Sequence, residues 1–495
     1  MYGNSVLFAQ QWTIWLTPVW LIAAGVTLGL LVLGLAYAVL RLVSRAAAEW
    51  AAGTVREGIL APIGYVALFL AGLAVLTAWS VPIGDFVDSI RRVFVVGELS
   101  QRVTVPPRTV DHGVPFSFRS EELRQLVIAS SEDLIVAAQA GQVDTKAVRE
   151  VNGGDPYTWS DTAGRPVPFF GWVDHLYLTN HSDVEATVEI KRVTGVAYPE
   201  VACLLITAVA LVALFGIYLA ITAALPKLAA IAVATAKEAS SQPIFYLTLV
   251  LGAFALVVFI YIPYNTFGED VKMLKDSGLT LILVLAVVVA LWTASVSVAE
   301  EIEGRTALTL LSKPVSRRQF VLGKFLGILW PVLLLFILLG LLFLVTVSYK
   351  VVYDARETAR PDPAWQACYY EMIRTVPGLV LAFLETVVLV SIGVAISTRL
   401  PMLPNLIICA SIYALGHLGP MIVNSSVGAF EPVAFVGRLI AVLLPVLDVF
   451  NIQAAIAAGA TVPLSYLFWA VVYCILYSSI AMLLALFLFE DRDLA

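Results

Sequence analysis

Long apolar runs separated by short charged stretches dominate the chain. A helix that crosses roughly 30 Å of hydrocarbon needs about 20 residues, and nine runs reach that length, at approximately 14–40, 59–80, 201–222, 244–263, 278–298, 322–347, 377–397, 405–424 and 464–488. A further apolar stretch, Pro432 to Ala458, is interrupted by Arg438, Pro445, Asp448 and Asn451. It predicts two short re-entrant segments, an irregular backbone that is tolerated at membrane depth only where protein or cavity water covers it. Between residues 82 and 200 the rhythm changes. Val184, Ala186, Val188 and Ile190 alternate with Glu185, Thr187, Glu189 and Lys191, the period-two pattern of a half-buried strand. Similar stretches recur at Val93 to Val96, Val103 to Val105, Phe116 to Phe118, Leu134 to Ala137 and Leu176 to Leu178, with turn clusters such as Asn152-Gly153-Gly154-Asp155-Pro156 between them. Short strands at this spacing predict a small antiparallel β-sandwich-like domain.

Composition sharpens this picture. Of 495 residues 60% are hydrophobic and 13% charged, about half the roughly 25% charge of a soluble domain, and the mean hydropathy is +0.90. A soluble enzyme is excluded. Thirty Lys and Arg against 36 Asp and Glu give a net charge of −6 with no basic block, so nucleic acid is not an expected partner. Cys203, Cys368, Cys409 and Cys474 lie far apart, which argues against a disulfide framework or a zinc motif. The first run is preceded by no Lys or Arg and exceeds a signal-peptide core, so it is expected to stay in the mature protein.

Nine crossings put the termini on opposite sides, and the positive-inside rule chooses between the two arrangements from the short loops. With the N-terminus outside, the inner loops carry Arg41, Arg45, Arg56, Lys227, Lys237, Arg305, Lys313, Arg317, Arg318, Lys324, Arg399 and Arg492. The outer loops carry Lys272, Lys275, Lys350, Arg356, Arg360, Arg374 and Arg438. Twelve against seven favours this arrangement. The expected fold is an all-α polytopic protein of the cytoplasmic (inner) membrane, with about nine transmembrane helices, re-entrant helices and an inserted extracytoplasmic β-sandwich-like domain. Its expected divisions are 1–81, a pair of spans; 82–200, the β-rich domain; 201–228, a third span and linker; and 229–495, a six-span unit.

One inner segment, Ala299 to Gly327, carries a dense pattern of chemistry. Glu300, Glu301 and Glu303 sit where a span leaves the bilayer, and Ala307 to Leu311 has the makings of a short amphipathic helix that Pro314 stops because proline cannot donate the next backbone bond. Arg317, Arg318 and Lys324 mark the next entry. The plain reading is that these charges satisfy headgroups and fix orientation; the sharper one is a helix lying on the membrane that docks a soluble partner. The whole pattern closely resembles the first cytoplasmic loop of ABC-2 type transporter permeases. Glu301 and Glu303 match its acidic residues, Gly304 and Thr306 its Gly and Thr, Leu310-Leu311-Ser312-Lys313-Pro314 its central run, and Ser316-Arg317 and Gly323-Lys324 its end. Arg305 is a small departure, since it separates a Gly and Thr that are often adjacent.

The resemblance extends over 229–495. An amphipathic stretch ends at Lys237-Glu238, six spans follow, a broken apolar pair precedes the last, and the chain ends in Phe489-Glu490-Asp491-Arg492-Asp493-Leu494. It implies an interfacial elbow helix at Pro226 to Ser240, a six-helix permease domain, and a loop that couples the spans to an ATPase. The chain has no G-x-x-x-x-G-K-[ST], because Phe325 follows Gly323-Lys324, so ATP and Mg²⁺ are expected in a separate ABC ATPase and no cofactor or catalytic residue in this chain. The other implied partners are a second permease subunit, identical or related, the lipid bilayer, and an extracytoplasmic partner for residues 82–200. The reading is an exporter. The alternatives are a subunit that relays ATPase movement to an outer assembly without passing substrate, and an ion-coupled secondary transporter.

Candidates for a translocation path are Glu385 and His417. Glu385 lies in mid-span, where insertion scales charge about 2.5–3.5 kcal/mol for such a group. The plainer alternatives are an interhelical hydrogen bond for Glu385 and a packed, hydrogen-bonded ring for His417. His112, His175 and His181 with Asp111, Asp174 and Asp183 match no compact metal motif and read as surface residues, so no metal site is expected. No H-E-x-x-H or G-x-S-x-G is present, and Gly25 and Gly29 form a G-x-x-x-G suited to close helix packing.

Overall fold

The computed structural model describes residues 2–93, 95–141, 148–161, 167–262, 269–300, 316–424, 435 and 444–490. The chain is mostly helical and divides into two compact units, one of Met1–Thr77 with Leu204–Ala495 and one of Ala78–Cys203.

In chain order, helices α1 (Tyr2–Val43), α2 (Arg45–Glu57) and α3 (Ala61–Thr77) are followed by α4 (Ile83–Arg92) and eight strands: β1 (Glu98–Val105), β2 (Thr109–Arg119), β3 (Leu123–Ser130), β4 (Leu134–Ala137), β5 (Val148–Val151), β6 (Tyr157–Ser160), β7 (Trp172–Asn180) and β8 (Ala186–Thr194). The second run of helices is α5 (Ala202–Ala224), α6 (Pro226–Ser241), α7 (Pro243–Tyr261), α8 (Asp270–Ala294), α9 (Arg317–Glu357), α10 (Trp365–Ser397), α11 (Met402–Asn424), the short α12 (Gln453–Ala457) and α13 (Leu464–Glu490).

The strands form two antiparallel four-stranded sheets, ordered β1-β8-β3-β6 and β2-β7-β4-β5. Val114, Phe116 and Phe118 from one and Leu126, Ile128, Val188 and Ile190 from the other belong to a single buried cluster, as the period of two requires. Exposed ion pairs such as Lys191 with Glu98 at 2.5 Å add little, although that hydrogen bond raises the Lys191 ammonium above its ordinary range. Val93 to Val96 is not the strand its composition predicts: Val93 caps α4, an amphipathic helix whose Arg92 donates to Glu122 at 2.7 Å.

In the helical unit, eight described helices are long and apolar enough to cross a membrane. They fall on eight of the nine expected runs; at the remaining run stands the apolar helix α11, Met402–Asn424. Burial ranks them. The apolar windows of α8, α9 and α10 are 67%, 61% and 67% buried, against 17% to 39% for the other five, so these three form the centre and the rest the lipid-facing rim. Among helices in lipid, attraction comes from close packing and polar bonds rather than from water exclusion. Ser348 of α9 donates to the Trp15 carbonyl of α1 at 2.8 Å, Trp20 to the Ala74 carbonyl of α3 at 2.9 Å, and Gly25 and Gly29 lie against α5, where a Cβ on Gly25 would come 2.7 Å from the Leu204 carbonyl oxygen.

Helix α8 begins before the hydropathy limit at 278 and α9 ends after the one at 347 for one reason. Lys275 and Lys350, counted as outer-loop charges from the sequence, are 1% and 0% exposed within α8 and α9. Lys324 is likewise buried instead of facing headgroups. A paired lysine inside a bundle does not end a helix, and hydropathy alone cannot tell it from one that does.

Candidate functional site

The loop singled out by the sequence, Glu301 to Val315, lies outside the described residues, as does the Glu300 side chain; both roots of the loop are described. On one side α8 continues into a π-helical turn, Ser295–Glu300, a local over-widening often found at functional positions. Asn405 of α11 donates to Ser295 Oγ at 2.8 Å, and Lys324 of α9 donates to Ser297 Oγ at 3.1 Å. On the other side Ser316 caps α9: its Oγ accepts from the Gln319 N–H at 3.2 Å while Gln319 Oε1 accepts from the Ser316 N–H at 3.1 Å, a reciprocal capping box.

The rest of the motif also has internal partners. Arg317 donates to the Phe489 and Glu490 carbonyls at 3.2 and 2.7 Å, placing a cation at the negative C-terminal end of α13, and Phe320 stacks on Phe489 at 5.6 Å. Gly323 and Gly327 form a small-residue face against α6. A Cβ on Gly323 would stand 2.8 Å from Ile231 Cβ, and one on Gly327 2.6 Å from Thr235 Cβ and 2.7 Å from the Ala232 carbonyl oxygen. Helix α6 answers with Leu228, Ala232, Thr235 and Ala239 on its buried side. Ser316, Arg317, Gly323 and Lys324, which the sequence groups with a docking loop, therefore hold α6, α8, α9 and α13 together where the loop begins and ends.

The two path candidates meet. His417 Nε2 lies 2.8 Å from Glu385 Oε1, joining α11 to α10, with the carboxylate side chain 1% exposed. Tyr413, one turn before His417, packs edge-on to its ring at 4.9 Å. The plainer reading of each residue thus describes one bond, and a group that is expensive in hydrocarbon has a partner 32 positions away. Nothing local in sequence marks that pairing.

At the opposite end of α9 is an ionic network the sequence reading missed. Lys275 donates to Glu371 at 2.7 Å and to the Ile456 carbonyl at 3.1 Å, joining α8, α10 and α12. Lys350 donates to the Ile260 carbonyl at 3.0 Å and stands 3.4 Å from Asp270. The carboxylates of Asp270, Asp354 and Glu357 lie within 4.8 Å of one another, and the Lys350 ammonium supplies the countercharge. His112, His175 and His181 do not join such a group among the described residues. Their acidic neighbours are engaged elsewhere: Asp111 accepts from the Gly141 N–H at 2.8 Å, Asp174 from Trp172 and Asp183 from Arg108.

By fold and composition this is a multi-pass helical membrane protein. Residues 237–417 match the family described as ABC-2 family transporter protein, a stretch that runs from α6 to His417 and encloses the loop, its roots and the Glu385–His417 bond. The resemblance drawn from Ala299 to Gly327 is borne out by this match, which supports an ABC-2 type permease over those residues. Members of this family are membrane subunits for transport, not catalytic chains, and generally work with an ABC ATPase. No curated protein matches the chain.

Proposed function

We propose that the chain is the permease subunit of an ATP-driven ABC-2 type transporter, working as an exporter, and that its loop from Glu300 to Arg318 docks a separately encoded ATPase. The observation that carries this reading is the fastening of both loop roots, which lie inside the family match, into the bundle, through Lys324 to Ser297 and Arg317 to the end of α13. A loop clamped at both ends passes a push from its partner to the spans instead of absorbing it. ATP and Mg²⁺ belong to that ATPase, and two permease subunits, identical or related, complete the assembly.

In this arrangement there are nine crossings, with α11 as the eighth, divided as 1–81, 82–200, 201–228 and 229–495. The N-terminus and the sandwich of 82–200 are extracytoplasmic and the C-terminus is inside. Burial supports the orientation: removing Lys275 and Lys350 from the outer loops and Lys324 from the inner ones changes twelve against seven into eleven against five. The eight strands of the second unit favour one further reading, in which the subunit relays ATPase movement to an outer partner.

The test is to purify the chain, tagged at its N-terminus, from its native membrane in mild detergent. An ABC ATPase should accompany it, and Glu301→Lys with Glu303→Lys should lower the co-purified amount roughly tenfold, as losing about 1.4 kcal/mol of binding would. If no ATPase accompanies the wild type, or the reversal changes nothing, the docking role is wrong. ATP-independent uptake in proteoliposomes would point instead to an ion-coupled carrier using Glu385.

A further inference from the structure

A cleft of about 460 Å³ opens where α8 begins and α9 ends. Its walls include Lys272, Arg360, Tyr370, Glu371, Arg374 and Gly459. We propose that this cleft binds a phosphate-type oxyanion between Arg360 and Arg374, a site independent of the direction of transport and of the ATPase.

Most charge in the cleft is already answered. Glu371 accepts from Lys275 at 2.7 Å and Glu269 from Lys272 at 2.6 Å. Asp354, also on the wall, belongs to the acidic group that Lys350 faces. Arg360 and Arg374 differ in part: among the described residues neither guanidinium makes a direct ion pair or a side-chain hydrogen bond, although neighbouring Arg356 pairs with Asp362 and the charge of Arg360 acts through space on the Asp354 carboxylate. Two guanidinium groups without a directly bonded partner thus line one cleft.

The backbone holds both in place. Helix α9 ends in a Schellman turn, with the Arg360 N–H donating to the Ala355 carbonyl at 2.8 Å and the Ala359 N–H to the Arg356 carbonyl at 3.1 Å. Its left-handed residue is Ala359 at φ 51°, where glycine is usual because a Cβ crowds the following carbonyl. Pro361 and Pro363 then stiffen the strap that carries Arg360. Arg374 passes the turn at Gly459, whose Cβ, if added, would lie 3.8 Å from Arg374 Nη1. Beneath them Lys275 bonds both Glu371 and the Ile456 carbonyl, so the walls from α8, α10 and α12 are fastened together before any ligand arrives.

The donor set selects the ligand class. One guanidinium fork saturates a carboxylate, whereas two forks suit a group with three or more oxygens. A free phosphate compound and a lipid headgroup share that chemistry.

The full chain, purified in a phosphate-free maltoside detergent, should bind inorganic pyrophosphate saturably by calorimetry. Arg360→Gln and Arg374→Gln should each weaken binding roughly tenfold, Arg374→Lys less, and Lys272→Gln less than about threefold, corresponding to the loss of one charge-assisted contact. Unchanged melting temperatures and the partial rescue by lysine separate this result from misfolding. Succinate should bind at least about tenfold more weakly. In a second arm, phosphatidylglycerol retained by the wild type in native mass spectrometry and lost from Arg374→Gln would assign the oxyanion to a headgroup; displacement by pyrophosphate without lipid retention would assign it to a soluble compound. The proposal falls if neither probe binds, if both arginine variants bind as the wild type does, or if succinate matches pyrophosphate.

Discussion

Gly327→Val is expected to wedge the elbow helix α6 away from α9 and to abolish ATP-driven transport while the protein still inserts. The first carbon added at Gly327 would meet Thr235 Cβ at 2.6 Å and the Ala232 carbonyl oxygen at 2.7 Å. Neither is the far end of a flexible side chain, so the strain goes into the helix pair. Overpacking of a tight contact costs about 1–3 kcal/mol, and valine, with three carbons added to a backbone-to-backbone approach, belongs at the upper end. Thermal unfolding in detergent would register the loss, and transport in proteoliposomes with the partner ATPase would register its consequence. Gly64→Ala in α3 is the control, because no atom lies within 4 Å of the added carbon; removing a helix-interior glycine there should stabilise the chain by about 0.5–1 kcal/mol. Gly327→Val melting like the wild type would show that α6 is not held by this contact.

Breaking the Glu385–His417 bond should have the second large effect. His417→Ala leaves a nearly fully buried carboxylate without its partner, and orphaning a buried charge costs about 3–5 kcal/mol. Interhelical polar bonds in membranes average only about 0.6 kcal/mol, reaching about 1.7, so the expected cost is near the lower limit, about 3 kcal/mol. Glu385→Leu combined with His417→Leu should recover most of it, because a pair of apolar groups leaves nothing unsatisfied. Unfolding of Glu385→Leu, His417→Leu and the double variant checks this; a double variant as unstable as the sum of the singles would mean the two residues act separately. Glu385→Gln, which keeps a hydrogen bond without the charge, distinguishes roles: a stable variant that no longer transports would place the carboxylate on the path.

The spans were legible because about 20 apolar residues in a row have few other uses, and the strands at Phe116–Phe118, Leu134–Ala137 and Leu176–Leu178 because alternation has a single geometric meaning. The failures share a cause. Lys275 finds Glu371 96 positions away, Lys350 finds Asp270 80 positions away, and Glu385 and His417 stand on different helices, so a charge that reads as a loop or an isolated curiosity is satisfied by a partner no local window contains. Helix α2 escaped notice for another reason: with only Ala48 and Ala51 buried, its apolar face is too small to stand out beside the spans. The motif at Ser316 to Lys324 was visible as a family pattern, but its use as a joint could not be seen without the carbonyls of Phe489 and Glu490.

The contact of Arg317 with the last turn of α13 has a practical side. A reporter or affinity tag joined directly to Glu490, in place of residues 491–495, would begin within hydrogen-bonding reach of the residue that opens α9 and would crowd the root of the 301–315 loop. An N-terminal tag starts instead on α1, whose Trp15 lies beside Ser348 near the far end of α9. Comparing the two fusions in the same ATPase co-purification would use the fold itself as a ruler, with the C-terminal one reporting interference and the N-terminal one serving as its reference.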